Sequence, residues 1–100
     1  MPHLICYDIT QDSLRTRLAK KISESGLDRI NKSVYLGSIT DTALNALEKD
    51  LAKFVQEKGS PGDSLIILPV YLEQINQMRI YGSIEPDRDE LSGSKSTLIV

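Results

Sequence analysis

Apolar and polar positions change rhythm several times along these 100 residues. HLICYDI, residues 3–9, is bulky and rich in β-formers. Alternation along such a strand places Leu4, Cys6 and Asp8 on one face and Ile5, Tyr7 and Ile9 on the other. The apolar spacing then becomes four. Leu14, Leu18 and Ile22, with Ala19 beside them, form the stripe of a helix running to Ser25. Thr10, Asp12 and Ser13 are its N-cap candidates, and Gly26 suits a left-handed C-cap. Residues 27–39, LDRINKSVYLGSI, return to extended character, as two short strands or one long bent strand broken near Asn31–Ser33. Thr40 caps a second helix to about Lys58, with Asp41 in its first turn and Leu44, Leu47, Leu51, Phe54 and Val55 as its stripe. KGSPGDS, 58–64, is a loop, and LIILPV, 65–70, reads as a fully buried strand. YLEQINQM is ambiguous and compatible with a short helical turn, and RIYGS, 79–83, reads as a last short strand.

The order β-α-β-β-α-β, with further strand material at the end, defines an α+β fold of the ferredoxin-like kind, an antiparallel sheet with both helices on one face. Residues 1–84 form this domain. Residues 85–100 form a polar tail that ends in the apolar TLIV. Such a tail suits the addition of a strand to a partner chain.

Composition changes this picture little. A hydrophobic fraction of 40% and a charged fraction of 26% describe an ordinary globular chain of one domain. No apolar run approaches the roughly 20 residues that span a bilayer, so no membrane role is expected. The segment MPHLICYDI has neither a basic n-region nor a small-residue cleavage site, which argues against a signal peptide. Cys6 is the single cysteine and reads as a reduced, buried residue, so a cytoplasmic setting is expected.

Charge is more informative. The net charge of −2 taken alone speaks against nucleic-acid binding. Residues 13–35, however, carry Arg15, Arg17, Lys20, Lys21, Arg29 and Lys32 against only Glu24 and Asp28. A local basic region can coexist with a negative total. Arginine suits bidentate phosphate contact and lysine acts as a point charge. For any one of these residues, a solvated helix face with pairs such as Lys20–Glu24 is the competing reading.

The chain has one histidine, His3, with no nucleophile arranged around it in sequence, and no Gly-rich phosphate loop. Asp8 remains. It could be a structural acid accepting N–H bonds from the turn after the strand, or a metal ligand. One carboxylate makes a poor Mg²⁺ site, since Mg²⁺ usually takes one or two together with waters. A two-fold axis supplies the second, because a residue near the axis of an isologous dimer faces its own copy.

Taken in order, Tyr7-Asp8-Ile9, then Arg15 and Arg17, then Arg29-Ile30-Asn31-Lys32-Ser33-Val34-Tyr35 resemble the small CRISPR-associated adaptation protein, the ferredoxin-like nuclease partner of the CRISPR integrase. The resemblance covers roughly residues 3–83. It implies a homodimer that binds duplex DNA, or single-stranded RNA as a substrate, and that scaffolds the integrase subunit during spacer capture. It also implies Mg²⁺-dependent endonuclease chemistry with Asp8 as both catalytic residue and metal ligand. Arg15, Arg17, Arg29, Lys32, Ser33 and Tyr35 are then the nucleic-acid contacts. Three positions depart from the family pattern. Asn31 stands for a usual Gln, Tyr35 for a Phe, and Leu36 where an acid is frequent, so no second nearby carboxylate supports Asp8. Two alternatives of other kinds are a stand-alone ribonuclease toxin of similar fold and a small-molecule regulatory module.

Overall fold

The computed structural model describes residues 1–82. Strand β1 (Pro2–Asp8) leads to helix α1 (Asp12–Glu24), then to strands β2 (Asp28–Asn31) and β3 (Val34–Ser38). Helix α2 (Asp41–Lys58), strand β4 (Ser64–Pro69) and a short helix α3 (Leu72–Asn76) complete it. The expected βαββαβ order is present. Residues 27–39 resolve as a hairpin, not one bent strand, because the chain reverses at Lys32–Ser33 and β2 pairs antiparallel with β3. Ser33 takes the left-handed conformation (φ 59°) there, and the Asn31 Oδ1 accepts the Lys32 N–H at 2.8 Å.

The sheet order is β2-β3-β1-β4, so β1 is central and antiparallel to both neighbours. Its alternation is borne out. Ile5, Tyr7 and Ile9 are buried beneath the helices. Leu18 and Ile22 of α1 and Leu51 of α2 are fully buried in the same cluster, against Leu27, Tyr35 and Ile39. The opposite face holds Leu4, Cys6 and Asp8, of which Asp8 is exposed and Cys6 only half-buried, where full burial was expected.

Local signals explain most boundaries. The Thr40 Oγ1 accepts the Ala43 N–H at 3.2 Å and caps α2. Helix α1 starts differently from expectation. Its N-cap is Gln11, without a side-chain bond, and the Thr10 hydroxyl is engaged elsewhere. Gly26 closes α1 with φ +92°, the left-handed geometry expected of it.

Two expectations are corrected. Strand β4 is not fully buried. It is an edge strand whose Leu65 and Ile67 pack on the helical core, while Ile66 and Leu68 are about half exposed on the open face (54% and 53%). A continuous apolar run hides which alternate positions a second layer will cover. Residues 79–82 pair with no strand among the described residues, and Tyr81 stands 91% exposed. A strand exists only through a ladder partner, and no described strand pairs with these residues. The tail 85–100 with its TLIV end lies outside the described residues, as do Ser83 and Ile84. Helix α3, the short turn expected within 71–78, seats Ile75 on Leu36, with Leu4, Ile30, Val70 and Met78 around them. It covers only part of the open face. No helix among the described residues is long and apolar enough to cross a membrane.

Leu18 is fully buried between α1 and the sheet. Leu18→Ala should cost about 2–5 kcal/mol, from lost transfer energy plus a cavity. Urea denaturation should show the midpoint falling with an unchanged m-value.

Candidate nucleic-acid interface

The end of β1, the start of α1 and the β2–β3 hairpin enclose a cleft of about 530 Å³. Asp8, Arg15, Arg29, Lys32, Ser33 and Tyr35 all line it. Six of the seven residues singled out in the sequence are therefore brought to one place, although 27 positions separate the first from the last. Arg17 is not among them. Its guanidinium carbon lies 3.9 Å from the centroid of the Phe54 ring, a cation–π contact joining α1 to α2 on another side of the molecule. Helical spacing explains the split, since residues two apart on a helix point in different directions.

The three cations of the cleft differ in what they are free to do. The Arg15 Nη1 donates to the Ile9 carbonyl at 3.0 Å and the Thr10 carbonyl at 3.4 Å, and its Nη2 pairs with Asp12. Arg15 is thus largely spent on fixing the turn between β1 and α1. Arg29 donates only through Nε, to the Asn31 carbonyl at 3.3 Å. Neither Arg29 nor Lys32 has a carboxylate partner among the described residues. Both keep charge available for an anionic ligand.

The Asp8 carboxylate likewise makes no hydrogen bond or ion pair among the described residues, and it is exposed. It does not act as the structural acid of its turn. That part is taken by Asp63, which the sequence reading passed over. The Asp63 Oδ1 accepts the Thr10 N–H (3.0 Å) and hydroxyl (2.9 Å), and Oδ2 accepts the Ser60 N–H at 2.7 Å. These bonds hold the Asp63 carboxyl below its ordinary pKa, chiefly through the Ser60 N–H. Tyr7 is a second residue that the sequence reading did not single out for the cleft. It lies under the cleft with Tyr35 stacked beside it, ring centroids 6.3 Å apart. Burial first, and the neighbouring Tyr35 next, raise the Tyr7 pKa, so its hydroxyl keeps its proton at neutral pH. The YDI triplet carried a signal for Tyr7 in its position before Asp8. No sequence pattern pointed from Asp63 to a threonine 53 residues away.

No group of three or more His, Cys, Asp or Glu suited to a metal ion occurs among the described residues. Within one chain, Asp8 is a single unencumbered carboxylate, and Mg²⁺ usually takes one or two carboxylates together with waters.

The open four-stranded antiparallel sheet, with two long helices on one face and an acid–cation cleft at the end of its central strand, defines a class of small α+β domains. One solved member is Streptococcus pyogenes Cas2, whose crystal structure superposes with a TM-score of 0.69 over 82% of this chain and all of that one, at 21% identity. The family model "CRISPR associated protein Cas2" matches residues 1–78, and the chain belongs to that family. Relatives include a CRISPR-associated endoribonuclease Cas2 of Archaeoglobus fulgidus, 34% identical over 70% of this chain and 71% of its own length. Another, of the same name, from Korarchaeum cryptofilum is 37% identical over 67% of this chain and 69% of its own length.

The Asp63 shift has a pH consequence. A carboxyl whose folded pKa lies below its unfolded value of about 3.8 adds stability above that value, and the gain is lost as pH falls through the folded pKa. Asp63→Asn should therefore lower the melting temperature at pH 7, and the gap from the parent chain should shrink below about pH 4. Thermal melts of both proteins from pH 7 to pH 3 measure this, and a gap that widens in acid would contradict it.

Proposed function

We propose that this chain is a homodimeric, nucleic-acid-binding subunit of CRISPR adaptation that scaffolds the spacer integrase on duplex DNA and hydrolyses phosphodiesters at Asp8 with Mg²⁺. The observation that carries this reading is the convergence of an unencumbered carboxylate with two unpaired cations in one cleft. Arg29 and Lys32 supply charge for backbone phosphates, and Asp8 supplies the acid beside them. The names of the relatives, CRISPR-associated endoribonucleases, support the hydrolytic part.

The dimer is supported by the half of the sheet that no described element covers. Ile66, Leu68, Tyr71 and Leu72 are each about half exposed or more on a surface otherwise built as a core. An apolar patch of this kind marks an interaction site. Asp8 belongs to the same face of β1, so an isologous pairing there would turn two Asp8 carboxylates toward one axis. A magnesium ion shared between them would lower the pKa of a bound water and polarise a phosphoryl oxygen. This chain's own contribution is then to hold the phosphate with Arg29 and Lys32. Arg15 and Asp63 keep the turn after Asp8 in one geometry.

Asp8→Asn should abolish Mg²⁺-dependent cleavage of RNA or DNA, while binding of the uncleaved strand stays within about twofold. Gel-based cleavage with Mg²⁺ and with chelator, beside fluorescence anisotropy, tests both. Equal cleavage rates for Asp8→Asn and the parent chain would remove Asp8 from the chemistry. Leu68→Glu should place a charge in the apolar face and convert the dimer to monomer. Sedimentation velocity of both proteins reads this directly, and a dimer of unchanged affinity would move the interface elsewhere.

A further inference from the structure

The Asp8 side chain has no hydrogen bond or ion pair among the described residues, so the backbone around it sets where the carboxylate stands. On the β3 side that support ends at Tyr7, whose N–H bonds to the Ser33 carbonyl at 3.1 Å before the hairpin turns away. On the β4 side it goes further. The Val70 N–H meets the Pro2 carbonyl at 3.0 Å, and the two-residue period of an antiparallel ladder carries the bonded position along β1 to the Asp8–Ser64 pair. One more period would set Thr10 opposite Gly62. There β4 has no strand to offer, because Gly62 turns the chain with φ +89°. The Asp63 side chain fills the gap. Its Oδ1 accepts the Thr10 N–H at 3.0 Å and the Thr10 hydroxyl at 2.9 Å. The Ser60 N–H, 2.7 Å from Oδ2, holds the carboxylate in place. The ladder thus runs two residues past Asp8, with a carboxylate standing in for a carbonyl. Neither Thr10 nor Asp63 lines the cleft, so an effect on chemistry at Asp8 must pass through the backbone of residues 8–10.

We propose that Thr10 and Asp63 form a latch that positions Asp8, and that both are positioning residues for phosphodiester cleavage. That the positioned acid cleaves rests on the function proposed above; the latch itself rests on the ladder register and the three bonds to Asp63. A strand frays where its ladder stops. Without the latch, Asp8 would be the last residue tied to β4; with it, Asp8 lies inside the tied segment. Arg15 holds the Ile9 and Thr10 carbonyls from α1, and the latch ties the same turn to the loop before β4. Two anchors on opposite sides fix the direction in which β1 ends.

Amide hydrogen exchange of the full, metal-free chain reads the latch without any cleavage. In Asp63→Ala the Asp8 and Thr10 amides should exchange at least about tenfold faster, with the change confined to residues 8–10 and the 60–63 loop. Mg²⁺-dependent cleavage of a 12-nucleotide RNA and of a DNA duplex should lose about ten- to hundredfold in kcat, with KM within about twofold. Thr10→Val removes only the hydroxyl and should lose roughly three- to tenfold in kcat, as for one hydrogen bond to a charged group. Thr10→Ser should match the parent chain. Thr10→Val added to Asp63→Ala should change nothing further. Leu18→Ala separates positioning from stability, since it should raise exchange throughout the chain and leave the kcat of the folded protein unchanged. If Asp63→Ala does not fold, the Thr10→Val and Thr10→Ser pair, at an exposed position, decides. Parental exchange at Asp8 in the variants, or a kcat loss no larger than that of Leu18→Ala, would overturn the latch. A parent chain that cleaves neither strand would overturn the hydrolytic function, and Asp8 exchange would still decide whether the latch positions the acid. Cleavage by the parent with exchange unaltered in the variants would overturn the latch alone.

Discussion

The pleat of β1 is the constraint on which everything else rests. It is the central strand, paired on both sides, so its two faces cannot trade places without inverting the whole sheet. One face sends Ile5, Tyr7 and Ile9 into the helical core. The other leaves Leu4, Cys6 and Asp8 outside it. A slip of one residue would bury the carboxylate of Asp8 and expose three core side chains. The energetic demand for a dry core thus fixes the place of the acid, and no separate device is needed to put it there.

The turn after β1 is fixed by opposite charges working on opposite backbone groups. Arg15 takes the carbonyls of Ile9 and Thr10, and Asp63 takes the N–H of Thr10. Backbone donors and acceptors that leave a strand must find partners, and here side chains supply them. Arg15, which its guanidinium chemistry and the resemblance offered as a phosphate contact, is for this reason mainly part of the frame. Arg29 and Lys32, on the less regular hairpin, are the residues left with charge to offer.

Much of the fold was legible because it depends on local rules. The period-four stripe of α1, the Thr40 cap and the Gly26 stop are decided within one helical turn. The alternation of β1 is equally local. What escaped depended on distant partners. LIIL in β4 carries no polar punctuation, so nothing in it announced that Ile66 and Leu68 would face an uncovered side. RIYG has strand composition but pairs with no described strand. The SPGD loop read as punctuation, and the reach of Asp63 to Thr10 is a tertiary fact. Of the candidate site, the residue types were visible and Arg17 was misplaced. Two residues along a helix suffice to move a side chain from the cleft to the Phe54 ring.

Pro69 closes β4, and its orientation matters. The Val70 N–H bonds inward to the Pro2 carbonyl, so the ring nitrogen of Pro69 is turned to the edge of the sheet that no described strand occupies. Outward donors on that edge are then confined to Leu65 and Ile67. A chain laid along it would gain a ladder two donors long and find nothing beyond. The sheet can accept a short visitor there, but it cannot template the open-ended stacking that bare edges invite.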